Sequence, residues 1–286
     1  MTDIRTILLQ TTRDLAACGS PSPRLDAEVL LAQFLKTDRL QLCTHPEREL
    51  TERDAAGFAR WVERRRGGEP VAYIVGVKEF WSLPFEVNRE VLIPRPETEC
   101  LIEELLERCG REAGDLRIID VGTGSGAIAI ALARELPAAR IVATDISPGA
   151  LEVAGRNAVA HGVAGRLEFL PGDLFASASG TFDCIVSNPP YIPDETYPLL
   201  PAGIREFEPR QALIAGPDGT AFHREIIRGG THRLKAGGWI FLEIGEGQKE
   251  LVEALFRDEG IYDTIRFRRD YGGIERVAMA RKKKEG

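Results

Sequence analysis

An apolar run ends in a glycine-rich segment, Asp120-Val121-Gly122-Thr123-Gly124-Ser125-Gly126-Ala127. The run that leads into it, Arg117–Val121, has the composition of a buried strand, and a helix is predicted to begin where the segment ends. Glycines let the backbone turn sharply and let a ligand approach the main chain closely. The segment therefore predicts a strand, a tight ligand-binding turn and a helix.

Strands and helices continue to alternate after this segment. The predicted strands are Arg117–Val121, Arg140–Asp145, Leu167–Leu170, Phe182–Ser187, Trp239–Ile244, Thr264–Phe267 and Arg276–Ala280. Such alternation indicates βαβ units, and so an α/β fold with a doubly wound, mostly parallel seven-stranded sheet. Residues 268–275, between the last two strands, are too few for a crossover helix, so we expect that pair to be antiparallel.

Two regions precede the predicted sheet. Residues 1–72 have apolar side chains at helical spacing and predict a small N-terminal helical domain, which would serve as a packing or docking module. Residues 73–95 predict a β-hairpin linker, and residues 96–286 the domain that carries the sheet. The strand-like runs in the linker are Tyr73–Val75, Phe85–Val87 and Val91–Ile93.

The composition limits the possible partners. Among 286 residues, 44 are acidic and 37 are Lys or Arg, which gives a formal net charge of −7. Proteins that bind duplex nucleic acid usually carry a basic surface, so we expect no direct nucleic-acid partner. The cysteines are scattered without a CxxC pair, which favours a reducing, cytoplasmic compartment and argues against a zinc site. No apolar run approaches the roughly 20 residues that span a bilayer, and the first residues read as an amphipathic helix rather than a secretory or import peptide.

The glycine-rich segment alone leaves the kind of cofactor open. Gly122, Gly124 and Ala127 satisfy the dinucleotide fingerprint GxGxxG/A, so a nicotinamide-dependent dehydrogenase is one interpretation. The next predicted strand ends in Asp145, which is placed to accept hydrogen bonds from ribose hydroxyls. The pattern therefore predicts a nucleoside cofactor without identifying it.

Three further features favour a methyltransferase. Asp120 lies two residues before Gly122, where a carboxylate can reach a cationic amino-acid group. The third strand runs into Gly172-Asp173-Leu174, an acidic loop that could accept from the amino group of adenine, and the fourth ends in Asn188-Pro189-Pro190-Tyr191. Together these motifs resemble the class I, Rossmann-like methyltransferases. The resemblance implies S-adenosyl-L-methionine as the cofactor, with S-adenosyl-L-homocysteine as its product.

The Asn-Pro-Pro-Tyr segment predicts a holder for a planar NH2 group. Proline has no N–H, so the chain must leave the sheet at Pro189 and present Asn188 and Tyr191 at the carboxyl end of a strand. The lone pair of an amide or aromatic NH2 is delocalised, so a pair of acceptors for its two N–H bonds is what would help. The Asn188 side-chain carbonyl and the Pro189 backbone carbonyl can supply that pair, while Tyr191 can stack on the planar group. As the nitrogen gains positive charge, both acceptors bind it more strongly.

The motif indicates the chemistry but not the substrate, because adenine-N6 and cytosine-N4 methyltransferases of nucleic acids have similar loops. Over essentially its whole length, however, the chain resembles the bacterial release factor glutamine methyltransferases, the PrmC/HemK family. The resemblance rests on the glycine-rich segment together with Gly76–Trp81, Leu92–Glu99, Ser187–Ile192, Phe207–Pro209 and Arg269–Arg276. It implies methyl transfer to the side-chain amide nitrogen (N5) of the glutamine in the Gly-Gly-Gln loop of peptide chain release factors. An amino-methyltransferase acting on adenine or cytosine of a nucleic acid is the alternative.

Position and resemblance together assign the site residues. Those expected to bind the cofactor are Asp120, Gly122, Thr123, Gly124, Ser125, Gly126, Asp145, Asp173, Leu174 and Asn188. Those expected to bind the substrate are Asn188, Pro189, Pro190 and Tyr191, of which Asn188, Pro189 and Tyr191 are the expected catalytic residues. We expect release factors as partners, docked by the helical domain, and a monomer with neither a metal nor a membrane. Pro94-Arg95-Pro96-Glu97 is predicted to fold over the cofactor mouth, with a rigid interdomain connector as the alternative.

Overall fold

The computed structural model describes residues 2–110 and 114–284 of the chain. Its helices are α1 (Ile4–Ala17), α2 (Pro23–Phe34), α3 (Arg39–Thr44), α4 (Glu52–Arg66), α5 (Val71–Val75), α6 (Glu99–Cys109), α7 (Ala127–Glu135), α8 (Pro148–Ala160), α9 (Ala202–Arg205), α10 (Ala221–Arg233) and α11 (Lys249–Glu259). Its strands are β1 (Thr2–Asp3), β2 (Glu49–Leu50), β3 (Val77–Phe80), β4 (Leu83–Glu86), β5 (Arg117–Val121), β6 (Arg140–Asp145), β7 (Leu167–Pro171), β8 (Phe182–Ser187), β9 (Leu234–Glu243), β10 (Tyr262–Arg269) and β11 (Glu275–Lys282).

These elements form two compact units. The first comprises the chain up to Val77 together with Pro201–Phe207, and the second contains Lys78–Leu200 and the chain from Glu208 onward. Within the described ranges, none of the helices has both the length and the apolar character that crossing a bilayer requires.

The first unit is mainly helical, as the apolar spacing predicted. Three of its helices, α1, α3 and α4, begin at residues whose side chains accept from a free backbone N–H. Asp38 caps α3 by accepting from the N–H of Gln41 at 2.7 Å. Asp3 accepts from the N–H of Thr6 at 2.7 Å, and Thr51 accepts from the N–H of Asp54 at 3.1 Å. The buried core residues of this unit include Ile4, Leu8, Leu15, Leu30, Leu31, Leu42 and Phe58.

In the linker region, two of the three predicted strands are wrong. Tyr73–Val75 lies in helix α5, which ends at Gly76 with a φ of +78°. The helical turn buries the first two of these side chains, and that burial outweighs their strand preference. Val91–Ile93 is not a strand either; the N–H of Ile93 donates to Oε2 of Glu208 at 3.1 Å instead of to a neighbouring strand.

The linker does contain a hairpin, formed by β3 and β4. Its turn residues, Trp81 and Ser82, have φ values of +54° and +55° without being glycines. This conformation matches the twist of a hairpin but is costly for residues with a Cβ. Hydrogen bonds hold the first turn residue in place: the Trp81 backbone N–H donates to Glu99 at 2.7 Å, and its indole N–H donates to Glu135 at 2.9 Å.

The second unit contains the predicted seven-stranded sheet, in the order β10-β11-β9-β8-β5-β6-β7. Neighbouring strands from β9 to β7 are parallel, and β11 is antiparallel to both β9 and β10. The predicted antiparallel pair at the end of the chain is therefore confirmed. Ile118 and Ile119 illustrate the layers, since the first packs with α6 and α7 and the second with α10 and α11.

The order of the strands determines where a ligand can bind. From β5 the chain continues to β6 and β7 on one side, and then returns to β8 on the other. At such a switch point the loops after adjacent strands diverge and leave a crevice at their carboxyl ends. The glycine-rich segment follows β5 and the Asn-Pro-Pro-Tyr segment follows β8, so both border this crevice.

Candidate active site

A cavity of about 230 Å³ lies at the carboxyl ends of the central strands. Its wall contains most of the residues that the sequence assigned to the site. These are Gly122, Thr123, Gly124, Ser125, Asp145, Asp173, Leu174, Asn188, Pro189 and Pro190. Asp120, Gly126 and Tyr191 are not on this wall.

The loop after β5 presents its backbone to the cavity. Gly122 and Gly124 have φ values of +74° and +56°, and a Cβ at either position would meet no atom within 4 Å. Because these two residues have no side chain, the backbone can adopt the positive φ that the turn requires, and the space beside the main chain stays open. The N–H groups of Gly122 and Thr123 both donate to the carbonyl of Thr144 at 2.9 Å, which fixes the loop against β6.

Gly126 has a different role from the other two glycines of the loop. A Cβ there would lie 3.0 Å from Cδ1 of Ile130 and 3.1 Å from Cβ of Ala154. Gly126 also has a φ of +80° and directly precedes α7. It therefore allows close packing between α7 and α8 rather than lining the cavity.

Asp120 lies beneath the loop and is completely buried. Its Oδ2 accepts from the Thr123 hydroxyl at 2.6 Å; within the described part of the chain, no donor meets its Oδ1 in good hydrogen-bond geometry. Burial raises the pKa of the Asp120 carboxyl to about 7, and the Thr123 hydrogen bond and the nearby backbone N–H of Ala129 oppose that rise. Asp120 thus holds Thr123 on the cavity wall from beneath the loop.

Two acidic residues flank the cavity on the side of β6 and β7. Asp145 accepts from the N–H of Gly124 at 2.8 Å and of Ser147 at 2.9 Å; burial raises its pKa, and these backbone bonds oppose the rise. Asp173 is exposed on the wall. The next residue, Leu174, has a φ of +48°, which is costly for a side chain of this size.

Asn188, directly after β8, begins a chain of hydrogen bonds that leads into the protein interior. Its Nδ2 donates to Oγ1 of Thr98 at 3.1 Å. The Thr98 hydroxyl in turn donates to Oε2 of Glu243 at 2.6 Å. Thr98 is 4% exposed and Glu243 is 1% exposed, so water does not compete for these bonds.

Tyr191 is held by the same carboxylate rather than standing on the cavity wall. Its hydroxyl donates to Oε1 of Glu243 at 3.3 Å, and its backbone carbonyl accepts from Nε2 of Gln248 at 2.9 Å. Burial, followed by the charge of Glu243, raises the pKa of the Tyr191 hydroxyl, so it stays protonated and can donate. Asn188 and Tyr191 are thus both anchored on Glu243.

Sequence reasoning missed several residues of this network. Glu243 ends β9 and lies beside the Asn-Pro-Pro-Tyr loop, and a carboxylate at the carboxyl end of a strand could have drawn attention to it. Arg276 donates to Asp270 at 3.1 Å and to the carbonyl of Ile244 at 3.2 Å. This explains part of the Arg269–Arg276 motif, whose purpose the sequence did not reveal.

Two family models match the chain: the PrmC N-terminal domain over residues 6–76, and the Methyltransferase small domain over residues 96–198. A release factor glutamine methyltransferase of Moorella thermoacetica is 44% identical over 283 residues, covering 99% of each chain. One of Vibrio cholerae is 43% identical over 284 residues, covering 99% of this chain and 98% of the relative. Among solved structures, a methyltransferase from Pyrococcus furiosus is similar in fold, with a TM-score of 0.55 at 18% identity over 80% of this chain and 100% of the other.

The sheet order and the cavity at its switch point define a class I, Rossmann-like methyltransferase, which takes its methyl group from S-adenosylmethionine. Within that class, the chain is more than 40% identical to release factor glutamine methyltransferases over nearly its whole length, which identifies the family. The chain belongs to the family of release factor glutamine methyltransferases.

The cavity suits S-adenosylmethionine. Gly122 and Gly124 leave room for close approach to the main chain. Asp120 lies beneath this turn and holds the Thr123 side chain on the wall. Asp145 and Asp173 add acceptors on the wall.

Proposed function

We propose that this chain transfers a methyl group from S-adenosylmethionine to the side-chain amide nitrogen (N5) of the glutamine in the Gly-Gly-Gln loop of peptide chain release factors. The observation that carries the proposal is the position of Asn188, whose amide lies on the cavity wall with its NH2 end bonded to Thr98. Relatives named for this activity, at 43–44% identity, support the choice of substrate.

The cofactor would be held by the loops after β5, β6 and β7. The backbone of residues 122–125, supported from beneath by Asp120, suits its amino-acid part. Asp145 suits its ribose hydroxyls, and Asp173 with Leu174 its adenine. When bound, S-adenosylmethionine supplies an electrophilic methyl group on a sulfonium. Asn188, on the cavity wall, would border both this group and the substrate.

The substrate amide needs orientation more than it needs a base. Its nitrogen lone pair is delocalised into the carbonyl, so the nitrogen is a weak nucleophile. Asn188 Oδ1 and the Pro189 backbone carbonyl would accept its two N–H bonds and turn the nitrogen toward the methyl group. Pro189 and Pro190 fix the direction of the loop, so this orientation is established before the reaction.

The same two acceptors favour the transition state. The amide nitrogen gains positive charge as the new N–C bond forms, and hydrogen bonds to charged donors are stronger than those to neutral ones. The N–CH3 bond forms as the S–CH3 bond of the sulfonium breaks, which leaves S-adenosylhomocysteine. One N–H proton then passes to water, and the neutral N5-methylamide remains. Tyr191 would contribute its ring beside the planar amide, with its hydroxyl retained by Glu243.

We infer that the helical first unit docks the release factor, since a whole protein substrate needs more contact area than a single glutamine side chain offers. The match of residues 6–76 to the PrmC N-terminal domain supports this inference. The chain would act as a monomer, in the cytoplasm where translation factors are found, without binding nucleic acid directly.

The test is methyl transfer from labelled S-adenosylmethionine to a purified bacterial release factor, beside the same factor with its loop glutamine changed to alanine. Label in the first factor and none in the second is the expected result. Label in neither factor, with transfer to DNA or RNA, would be consistent with methylation of a planar NH2 group but would show that the proposed substrate is wrong.

A further inference from the structure

The Thr98 hydroxyl controls which end of the Asn188 amide faces the cavity. A hydroxyl has a single hydrogen, and the carboxylate of Glu243 accepts it at 2.6 Å. Thr98 can therefore offer Asn188 only an acceptor, which the Nδ2 of Asn188 uses at 3.1 Å. The hydrogen bonds have a fixed direction, from Asn188 through Thr98 to Glu243.

The direction of these hydrogen bonds selects one of the two orientations of the Asn188 carboxamide, which have nearly the same shape. The oxygen and nitrogen ends of a carboxamide are nearly isosteric, so packing alone does not distinguish them. Among the described residues, none donates a hydrogen bond to Oδ1 of Asn188, and the residue lies on the cavity wall. The Thr98 contact thus leaves Oδ1 as the free acceptor at the reaction site.

Further contacts hold Glu243 in the role of acceptor. Tyr191 donates to its other oxygen at 3.3 Å, and His223 Nε2 lies 2.8 Å from its backbone carbonyl. Burial raises the pKa of the Glu243 carboxyl to about 7, and the charge of Arg276, which is anchored on Asp270, opposes that rise. Ionised Glu243 can only accept. At a pH above this value the polarity of the chain of bonds therefore does not reverse, and the variants are compared at pH 8.

We propose that Thr98 and Glu243 are positioning residues that present Asn188 Oδ1 as an acceptor and thereby make the enzyme select a glutamine amide over a glutamate carboxylate. The proposal rests on the proposed function. An outward Oδ1 pairs with the N–H of an amide but is repelled by a carboxylate oxygen. If the amide were free to turn, its NH2 end could donate to a carboxylate, and selectivity would fall.

Three forms of the enzyme test this proposal: wild type, Thr98→Val and Thr98→Ser. Valine has nearly the shape of threonine but lacks the hydroxyl, whereas serine keeps it. Each is titrated, with S-adenosylhomocysteine bound, against a release factor and against the same factor with its loop glutamine changed to glutamate. Cofactor affinity and kcat are measured beside the binding.

Wild type and Thr98→Ser are expected to prefer the glutamine form by about tenfold or more, a typical effect of one well-placed polar contact. Thr98→Val is expected to lose most of this preference, with a lower kcat and an unchanged affinity for S-adenosylmethionine. Simple damage to the fold would weaken binding of the glutamine and glutamate release factors equally, and the ratio of their dissociation constants would not change.

The outcomes separate the two proposals. If wild type does not methylate the release factor, the proposed function fails. If wild type methylates it and Thr98→Val keeps the full preference for glutamine, the orientation proposal is overturned while the function stands. Thr98→Ala, which removes the hydroxyl without adding atoms, gives the same comparison if the valine variant does not fold.

Discussion

Arg95 forms an ion pair with Glu208, 113 positions further along the chain. The side chain of Glu208 is 2% exposed and that of Arg95 is 28% exposed. Glu208 also accepts from the backbone N–H of Ile93. The Pro94–Glu97 segment is therefore tied at its base, while Pro94 itself lies on the wall of the cavity.

Replacing Arg95 by alanine should destabilise the protein and weaken cofactor binding. The buried charge of Glu208 would lose its partner, which typically costs about 3 kcal/mol in the free energy of unfolding. Urea unfolding measures that loss, and calorimetric titration with S-adenosylmethionine measures the affinity. The double variant Arg95→Ala/Glu208→Gln should recover part of the stability, because no unpaired charge remains.

The same experiment distinguishes a lid from a connector. A lid over the cofactor requires Arg95→Ala to change the cofactor affinity or the turnover. If both stay at wild-type values while the stability falls, Pro94–Glu97 is a structural connector and the lid hypothesis is wrong.

Asn188→Ala should keep cofactor binding and lose most turnover. The variant removes one of the two proposed acceptors for the substrate amide, and losses of about 100-fold or more are common when such a group is removed. The measurements are kcat with a release factor and the dissociation constant of S-adenosylmethionine. Glu195→Gln, an exposed change in the same loop, is the control and should behave as wild type. Turnover near the wild-type value in Asn188→Ala would contradict the amide-holder mechanism.

The sequence predicted the sheet well because strand periodicity and turn residues are local signals. The first four predicted strands of the sheet match β5 to β8 almost residue for residue. The linker was harder to predict, because the Trp81 turn residue with its positive φ is held by hydrogen bonds to Glu99 and Glu135. Those partners lie 18 and 54 positions away and leave no trace in local composition.

The wall of the site was predictable for a related reason. Loops after parallel strands meet at one edge, so Gly122, Asp145 and Asn188 could be placed together from strand ends alone. The residues that hold Asn188 in place could not be predicted in this way. Thr98 is 90 positions from Asn188 and 145 positions from Glu243 in the sequence, and no spacing pattern indicates either contact.

Two glycines of the glycine-rich segment, Gly122 and Gly126, should lose different amounts of stability when they are replaced by alanine. Gly122→Ala meets no neighbouring atom, so its cost is the positive φ alone, about 1–2 kcal/mol. Gly126→Ala adds crowding against Ile130 and Ala154, and overpacking typically costs about 1–3 kcal/mol more. Chemical unfolding of both variants should therefore rank Gly126→Ala as the less stable.

Cofactor binding gives the complementary result for the same pair. Gly122 lies on the cavity wall and Gly126 does not. Gly122→Ala should therefore weaken S-adenosylmethionine binding more than Gly126→Ala does, although it destabilises the fold less. Equal losses of stability and of affinity in the two variants would contradict the separate roles assigned to these glycines.

Buried Asp120 should make the stability of the cofactor-free protein fall as the pH rises. Burial raises its pKa from the ordinary 3.8 to about 7. Between these values the folded state keeps a proton that the unfolded state has released, so the unfolding free energy decreases by up to about 1.4 kcal/mol per pH unit. Above pH 7 both states are ionised and the contribution of this group becomes constant. Glu243, whose pKa burial also raises to about 7, contributes with the same sign.

Asp120→Asn isolates the contribution of this one group. Asparagine can still accept from the Thr123 hydroxyl but does not titrate, while Glu243 titrates in both proteins and cancels in the comparison. Urea unfolding at pH 5, 6, 7 and 8 should show the variant gaining stability relative to wild type from pH 5 to 7, and no further gain at pH 8. A difference that is independent of pH would mean that Asp120 is already ionised in the folded protein at pH 5. Its buried oxygen would then have a donor that compensates the charge.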